Sequence, residues 1–361
     1  MTHLSPGEPA PWFFAPTPTN PRFNFASVAG RYVLLGFPPA DLETRQGVFD
    51  ILQRNLDLLG DYGITAFVVL RDQESYARAR NRNGLRWFAD FAGELSQLYG
   101  ALAPDGTESP VWVVIDPSLR VLFTAPMSQT DQVFARLRAL PGVEDHAGTP
   151  LHAPVMIAPR LFEPDLCRRL IACYEAQGGA PSGVMREVDG RTVGVLDDFK
   201  KRSDATVFDE PLREEIRDCF RRKLIPEMLK AFRFQATRVE RYIVARYDAE
   251  EGGYFRPHRD NLTSGTAHRQ FACSINLNAE DFEGGDLRFP EYGMRTYRPP
   301  TGGAVVFSCS LLHEATPVTR GTRYAFLPFF YDDAGEALRL RNLHLLEGAP
   351  AAGEVEELNA G

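Results

Sequence analysis

Hydrophobic positions follow two different patterns along the chain. Before residue 141, continuous apolar runs such as 32–37 (YVLLGF), 64–70 (ITAFVVL) and 111–116 (VWVVID) are separated by stretches with helical spacing. Such runs are typical of strands buried on both faces, so this part predicts an open, mixed α/β sheet. After about residue 238, many short strand-like segments are separated by Gly, Pro, Asp and Asn, which favours a β-sandwich or barrel with supporting helices.

A segment without periodicity separates the two patterns. Residues 140–154 (LPGVEDHAGTPLHAP) contain three prolines and two glycines, which is typical of a linker. We therefore predict an α/β domain over 1–141, a linker over 142–152, a second domain over 153–345 and an acidic flexible tail over 346–361. A long helical stretch in the second domain is interrupted at Pro226.

Composition narrows the function classes. The formal net charge is -8 and no basic block stands out, which argues against binding to nucleic acid or to an anionic membrane. The five cysteines include no CxxC pair, as expected for free thiols in a reducing cytoplasm. The first twenty residues lack a signal-peptide pattern, and the apolar stretches are too short to span a bilayer. These features predict a cytoplasmic protein and leave a homodimer open.

Two polar residues in the segment RPHRDN (256–261) suggest a metal site. His258 and Asp260 are two positions apart after Pro257, between strand-like segments. In an extended chain such residues share a face and can converge on one ion. A surface histidine and aspartate on a strand edge would show the same tripeptide.

A third candidate ligand is His313, at the end of the apolar segment AVVFSCSLLH. An imidazole there needs a partner, although a hydrogen-bonded core histidine would also fit. With His258 and Asp260 it completes two imidazoles and one carboxylate, the set that leaves three open positions on Fe(II).

A candidate anion-binding residue, Arg323, follows ten residues after His313 in TRGTRYAFLPFF. We predict that an antiparallel return from His313 brings it beside the metal. A guanidinium followed by so apolar a strand needs a planar anion, and a carboxylate is the natural bidentate partner. An internal salt bridge is the alternative.

Residues from about 153 to 333 resemble the 2-oxoglutarate- and Fe(II)-dependent dioxygenases, specifically the branch similar to prolyl 4-hydroxylases. The resemblance lies in RYDAEEGGYFRPHRDN, CSINLNAEDFEGGDLRFPEYG and GGAVVFSCSLLHEATPVTRGTRYAF, and it covers about half the chain. It implies a double-stranded β-helix (jelly roll) with His258, Asp260 and His313 on iron. It also implies Arg323 on the distal carboxylate of 2-oxoglutarate, and Tyr247 beside this cosubstrate.

The same resemblance implies the reaction. Fe(II), 2-oxoglutarate and O2 would hydroxylate an unactivated C–H bond, with succinate and CO2 as coproducts. Halogenases of this fold carry a small residue in place of the carboxylate, so Asp260 favours hydroxylation. Prolyl 4-hydroxylases usually have lysine where this chain has Arg323, so proline is not implied. We expect a peptide or protein side chain as substrate ahead of a small molecule.

Residues 1–140 resemble the thioredoxin-fold peroxiredoxins through GEPAPWFFAPT, YVLLGFPPAD and VWVVIDPSLRV. Pro110 is the candidate for their cis-proline. At the positions of their peroxidatic cysteine and nearby threonine stand Gln46 and Glu43, and no cysteine precedes Cys167. A peroxidase without a thiolate lacks its nucleophile. The resemblance therefore implies a redox-inactive domain that docks a substrate, mediates dimerisation, covers the oxygenase or only stabilises the chain.

Three other functions compete with the oxygenase. The first is a non-catalytic module that holds a metal or ligand structurally; a purely structural metal site would not need the anion receptor Arg323. A redox enzyme acting through the first domain is disfavoured by the missing cysteines. A zinc hydrolase using the same ligands lacks a general base, because Glu314, the adjacent acid, alternates to the other face of its strand.

Overall fold

The structure is a computed structural model and describes residues 4–348 and 355–358. Its contacts divide the chain into two compact units, Met1–Ala153 with Pro290–Met294, and Pro154–Phe289 with Arg295–Gly361. The sequence did not suggest that residues 290–294 group with the first unit.

The first unit alternates strands and helices. Its strands are β1 (Phe14–Thr17), β2 (Asn20–Asn24), β3 (Tyr32–Phe37), β4 (Ile64–Leu70), β5 (Leu85–Ala89), β6 (Val111–Ile115) and β7 (Val121–Pro126). Its α-helices are α1 (Leu42–Arg54), α2 (Gln73–Arg78), α3 (Glu94–Leu98) and α4 (Thr130–Arg138). Short 3₁₀ turns cover Phe25–Val28, Leu56–Leu58, Met127–Gln129, Val143–Asp145 and Pro290–Tyr292.

A five-stranded mixed sheet is the centre of this unit. Its strand order is β5-β4-β3-β6-β7. The β3–β4 and β4–β5 pairs are parallel, and the β3–β6 and β6–β7 pairs are antiparallel. Strands β3 and β4 are buried at every position, as their continuous apolar sequences predict. Gly36 lies against Trp112, where an added Cβ would come within 2.1 Å of the indole ring.

Pro110 differs from the expectation for a cis-proline. All peptide bonds in the described residues are trans, including the bond that precedes Pro110. Gln46, at the position aligned with a peroxidatic cysteine, lies in α1 and donates a hydrogen bond to Asp50.

The second unit consists mainly of short strands. The first six are β8 (Met156–Ala158), β9 (Ala180–Pro181), β10 (Val184–Val188), β11 (Arg191–Val195), β12 (Lys200–Lys201) and β13 (Ser203–Thr206). The next six are β14 (Arg238–Glu240), β15 (Ile243–Asp248), β16 (Tyr254–His258), β17 (Phe271–Asn276), β18 (Glu283–Gly284) and β19 (Leu287–Arg288). The last seven are β20 (Thr296–Tyr297), β21 (Ala304–Ser308), β22 (His313–Ala315), β23 (Val318–Arg320), β24 (Thr322–Phe326), β25 (Phe329–Tyr331) and β26 (Val355–Glu357).

Helices cover one part of these strands. They are α5 (Pro164–Gln177), α6 (Glu210–Cys219), α7 (Ile225–Phe232) and α8 (Asp333–Asn342), with a 3₁₀ turn at Leu343–Leu345. A single π-helical turn, Phe220–Leu224, joins α6 to α7. Pro226 has no N–H to donate within a helix, and the wider π turn immediately before it absorbs this break. The predicted interruption therefore lies at this turn.

Two sheets of the second unit hold the candidate site. The larger sheet contains ten strands, including the consecutive neighbours β25-β17-β24-β15-β13. The smaller sheet has the order β12-β16-β22-β19-β20. The hydrophobic core lies between the helices and the larger sheet, with Phe162, Phe220, Phe326 and Phe330 fully buried in contact. The described chain is therefore a mixed protein of helices and sheets, as predicted.

Part of the predicted flexible tail is ordered. Val355–Glu357 forms β26, which pairs antiparallel with β14, so the prediction is wrong for these residues. Residues 349–354 and 359–361 of the predicted tail lie outside the described residues. No helix in the described ranges has the length and apolar character that a membrane span requires.

Candidate functional site

Two adjacent strands of the smaller sheet carry the candidate histidines. His258 is the last residue of β16 and His313 the first of β22, and the two are direct partners in this antiparallel pair. Asp260 lies beyond the end of β16, where its N–H donates to the carbonyl of Cys309 at 3.0 Å. The prediction of one extended strand through both residues is therefore wrong, because a turn positions Asp260.

The three side chains nevertheless converge. One ligand atom from each of His258, Asp260 and His313 lies within 4.8 Å of the others. The Nε2 atom of His258 is 3.5 Å from Asp260 Oδ1, and the Nε2 atom of His313 is 3.3 Å from Asp260 Oδ2. The carboxylate thus faces one nitrogen of each imidazole.

Backbone carbonyls set the orientation of both imidazoles. His258 Nδ1 lies 2.7 Å from the carbonyl oxygen of Arg256, and His313 Nδ1 lies 3.0 Å from that of Leu311. Each Nδ1–H can donate to its carbonyl, which leaves the Nε2 lone pair for a metal. The Phe255 ring stacks on His258 with 3.5 Å between ring centres.

The electrostatics of the site favour the protonation states of metal ligands. Burial and the neighbouring His313 lower the pKa of His258 to about 4, so its ring is neutral at pH 7. Burial opposes the charge of Asp260, but interactions with His313 and His258 outweigh it and hold the pKa of this carboxyl well below its usual range. A neutral imidazole and an ionised carboxylate are the forms that bind a metal ion.

This donor set fits a ferrous ion. Two imidazole nitrogens and one carboxylate are the donor set of the facial non-haem Fe(II) sites. The carbonyl partners on both Nδ1 atoms match the outer partners that metal-bound histidines usually have. The residues present therefore fit the implied metal.

Arg323 reaches its position by a route that the sequence analysis did not predict. It lies on β24, which pairs with β15 and β17 in the larger sheet, whereas His313 belongs to the smaller sheet. The expected antiparallel return from His313 is therefore wrong. The β15 pairing places Arg323 directly opposite Tyr247.

The Arg323 guanidinium is buried among neutral partners. It donates to Ser274 Oγ at 2.8 Å and to Asn276 Oδ1 at 3.4 Å, and Arg323 is 3% exposed. No ion pair in the described part of the chain includes Arg323. It lines a narrow pocket with Ser274, Asn276 and Asp286.

Three polar partners of Arg323 and Tyr247 were missed in the sequence. Ser274 and Asn276 alternate within the otherwise apolar strand β17, and their period of two places both on one face. That alternation could have identified them. Arg202, whose Nη1 donates to the Tyr247 hydroxyl at 3.4 Å, carries no comparable local signal.

Residues 242–331 match the family model described as the 2OG-Fe(II) oxygenase superfamily. This range includes Tyr247, His258, Asp260, His313 and Arg323. A PKHD-type hydroxylase of Acinetobacter baumannii is 32% identical over 146 residues, which is 37% of this chain and 62% of the relative. A multifunctional procollagen lysine hydroxylase and glycosyltransferase of Rattus norvegicus is 37% identical over 97 residues, 26% of this chain and 12% of the relative.

Solved structures with similarity to the chain include two kinds of protein. A Pseudomonas putida prolyl-4-hydroxylase is 20% identical, with a TM-score of 0.39, over 54% of this chain and 97% of its own. A reduced Plasmodium vivax 2-Cys peroxiredoxin is 20% identical, with a TM-score of 0.33, over 41% of this chain and 100% of its own. The chain spans less than two thirds of the length of the curated relatives reported above. On the family match, the C-terminal region contains a 2OG-Fe(II) oxygenase domain.

Proposed function

We propose that this protein is an Fe(II)- and 2-oxoglutarate-dependent dioxygenase that hydroxylates an unactivated C–H bond. In the overall reaction, substrate C–H, 2-oxoglutarate and O2 give substrate C–OH, succinate and CO2. One oxygen atom enters the hydroxyl group and the other enters succinate. Reduction of O2 requires four electrons. Oxidation of the C–H bond supplies two of them, and oxidative decarboxylation of 2-oxoglutarate supplies the other two.

The observation that carries the proposal is the combination of two features in one oxygenase region. Asp260 faces the Nε2 atoms of His258 and His313 at 3.5 and 3.3 Å. Arg323 is a buried cation without a carboxylate partner among the described residues. A structural metal site would not need such an anion receptor.

Each residue has a definite task in this proposal. His258, Asp260 and His313 would hold Fe(II), which when bound supplies the site for 2-oxoglutarate and O2. Arg323 would bind the distal carboxylate of 2-oxoglutarate, with Ser274 and Asn276 fixing the guanidinium plane. Tyr247 would form the wall beside the cosubstrate, opposite Arg323 in the ladder.

The substrate is proposed to be a peptide or protein side chain. Support comes from a relative named as a procollagen lysine hydroxylase. Arginine at position 323, where prolyl 4-hydroxylases usually have lysine, gives no reason to choose proline. The protein is further proposed to act in the cytoplasm.

The finer fold assignment is also a proposal. The first unit would be thioredoxin-like and redox-inactive, since the chain has no cysteine before Cys167. The second would be a double-stranded β-helix, with the domains at 1–141 and 153–345. The antiparallel partners β16 and β22 in one sheet, and β15 and β24 in another, support that assignment.

The test is an anaerobic titration of the full chain with Fe(II) and 2-oxoglutarate, followed by turnover in air. We expect the visible absorption band of an Fe(II)–2-oxoglutarate chelate only when both are present, and its loss in His313→Ala. We then expect succinate formation that depends on O2. Absence of the band would favour the alternative, a non-catalytic metal- or ligand-binding module.

A further inference from the structure

A group of cations lies next to the candidate metal site. We call it the basic cluster, and it comprises Lys200, Arg202, Arg241 and Arg269 with the carboxylates of Asp204 and Glu240. Arg202 pairs with Asp204 at 2.6 Å, and Arg269 Nε donates to Glu240 at 3.1 Å. The charges cancel within each of these two pairs, so Arg241 is the arginine of the cluster without a carboxylate of its own.

Arg241 is the least neutralised arginine of the cluster. The guanidinium makes no hydrogen bond within residues 4–348 and 355–358, and its Nη2 atom is 3.8 Å from Asp204 Oδ2. That carboxylate is already paired with Arg202. Burial and, after it, the charges of Arg202 and Arg269 lower the pKa of Arg241 to about 10.

The backbone of Arg241 is held in an unusual conformation. Its φ is +73°, a region that few residues other than glycine adopt and that often occurs at ligand-binding positions. The residue joins β14 to β15, between buried Glu240 and Tyr242. Its guanidinium carbon lies 5.0 Å from the centre of the Phe329 ring, and 24% of the side chain is exposed. An external ligand can therefore reach it.

Two further polar atoms of the cluster have no partner. Arg202 Nε and Asp204 Oδ1 are buried and lack a hydrogen-bond partner among the described residues. Buried polar atoms are nearly always hydrogen-bonded in native proteins, so each of these two atoms has a hydrogen bond still to make. The free donor suits an anionic oxygen, and the free acceptor suits an N–H or O–H group on the same ligand.

Phe255 connects the basic cluster to the metal site. Lys200 Nζ is 4.9 Å and the Arg202 guanidinium carbon 5.9 Å from the centre of the Phe255 ring. That ring stacks on His258 at 3.5 Å. A molecule bound by the cluster would thus lie one aromatic ring away from a metal ligand.

We propose that Arg241, with Arg202 beside it, is the receptor for an anionic group of the substrate. The inference rests on the proposed dioxygenase function and adds a substrate class to it, namely molecules that carry a carboxylate or a phosphate near the hydroxylated carbon. In the proposed function Arg323 binds 2-oxoglutarate, so the cosubstrate does not require Arg241. Arg241 is then a specificity-determining residue.

The experiment measures binding of inorganic sulfate, a soluble oxyanion probe. Full-length protein is loaded with Zn(II) and saturated with 2-oxoglutarate, and [³⁵S]sulfate is followed by equilibrium dialysis. We expect one saturable site per chain, weakened at least tenfold in Arg241→Asn. Asparagine tolerates positive φ, so this variant keeps the backbone conformation, which circular dichroism checks.

The matched control is Arg233→Asn. Arg233 is also an arginine at positive φ, +56°, and is exposed at the end of α7, so sulfate binding should change less than twofold. If acetate displaces the bound sulfate at a lower concentration than methyl phosphate does, the site is a carboxylate receptor. If methyl phosphate is the more effective competitor, the site is a phosphate receptor. Absence of saturable binding, equal binding by Arg241→Asn, or equal loss in both variants would overturn the proposal.

The result can be read separately from the proposed function. Sulfate that binds at the metal instead of the cluster would survive Arg241→Asn, which counts against the receptor. Because dialysis needs no turnover, a failed sulfate result leaves the dioxygenase proposal standing. Failure of the chelate and succinate tests likewise does not affect the measured sulfate affinity.

Discussion

Tyr247 and Arg323 are direct partners across β15 and β24, and the Arg323 guanidinium carbon is 5.2 Å from the centre of the Tyr247 ring. The Tyr247 hydroxyl accepts a hydrogen bond from Arg202 at 3.4 Å. One aromatic residue therefore contacts two cations through cation–π and hydrogen-bond interactions. This arrangement fixes Arg323 without a carboxylate and preserves its charge for a ligand.

Replacing Arg323 with alanine should raise the KM for 2-oxoglutarate. Loss of one bidentate charged contact is worth roughly 2–4 kcal/mol, or about 30- to 1000-fold in affinity. Initial rates of succinate formation against 2-oxoglutarate concentration give the value. Arg320→Ala is the control, because Arg320 is on the neighbouring strand β23, exposed and paired with Glu283. Equal KM values for the two variants would show that another residue binds the cosubstrate.

Replacing Asp260 with alanine should abolish Fe(II) binding or turnover. We expect the affinity for Fe(II) to fall by more than about 100-fold, since even the outer partners of metal ligands are worth 10- to 100-fold. Anaerobic Fe(II) titration in the presence of 2-oxoglutarate measures the change.

The control for Asp260→Ala is Glu314→Gln. Glu314 follows His313 but forms an ion pair with Arg288 at 2.6 Å instead of facing the other ligands. Its replacement should leave Fe(II) binding intact. Turnover by Asp260→Ala without added halide would contradict the ligand assignment.

The candidate metal ligands were accessible to sequence analysis because their residue types carry the signal. Few side chains bind Fe(II), and His258, Asp260 and His313 stand out against apolar or extended surroundings. Their detailed placement was less accessible. The end of β16 at His258 depends on the turn that binds Asp260 N–H to Cys309, which no local pattern encodes.

The basic cluster was not predictable from the sequence. Lys200, Arg202, Arg241 and Arg269 are far apart along the chain, and arginine is common throughout it. Three strand pairs bring them together: β13 with β15, β14 with β25, and β17 with β25. The register of such long-range strand pairs depends on the whole sheet. It therefore cannot be predicted from local patterns in a single sequence. The same reasoning explains the error in the route to Arg323.

Replacing Glu240 with alanine should destabilise the second unit by about 3–5 kcal/mol, because it leaves the buried Arg269 cation unpaired. Glu240 Oε2 is 2.6 Å from His268 Nε2, and its Oε1 accepts from Arg269. Urea unfolding followed by circular dichroism measures the effect. Glu283→Ala removes the exposed pair with Arg320 and should cost less than about 1 kcal/mol. Equal unfolding midpoints for wild type and Glu240→Ala would show that Glu240 does not stabilise the fold.

Glu240 also predicts an acid-dependent loss of stability. Burial opposes its charge, but Arg269 and His268 outweigh burial and hold the pKa of this carboxyl well below its usual range. Its contribution should therefore be complete above the unfolded pKa of about 4.3 and be lost as pH falls toward the folded value. Urea midpoints between pH 6 and 3 should converge for wild type and Glu240→Ala. Parallel curves would contradict this coupling.

Lys200 should be largely neutral at pH 7.5. Burial and the nearby charge of Arg202 lower the pKa of Lys200 to about 6. The chain contains four lysines, Lys200, Lys201, Lys223 and Lys230, so a ¹³Cε-lysine NMR titration of metal-free protein is readily assigned. One signal should titrate near pH 6. It should be missing in Lys200→Met and present in Lys201→Met.

The same shift fixes the sign of a stability change. An unfolded lysine has a pKa of about 10.4, so between pH 6 and that value the unfolded chain binds more protons than the folded chain. Stability attributable to Lys200 therefore rises with pH, by at most about 1.4 kcal/mol per unit. Comparison of wild type with Lys200→Met in urea at pH 7 and pH 9 isolates this slope. Two results together would contradict the lowered pKa: the same pH dependence of stability in Lys200→Met as in wild type, and no lysine signal that titrates below pH 8. Lys200 would then be charged in the folded protein. The basic cluster would carry one more positive charge at neutral pH than the lowered pKa implies.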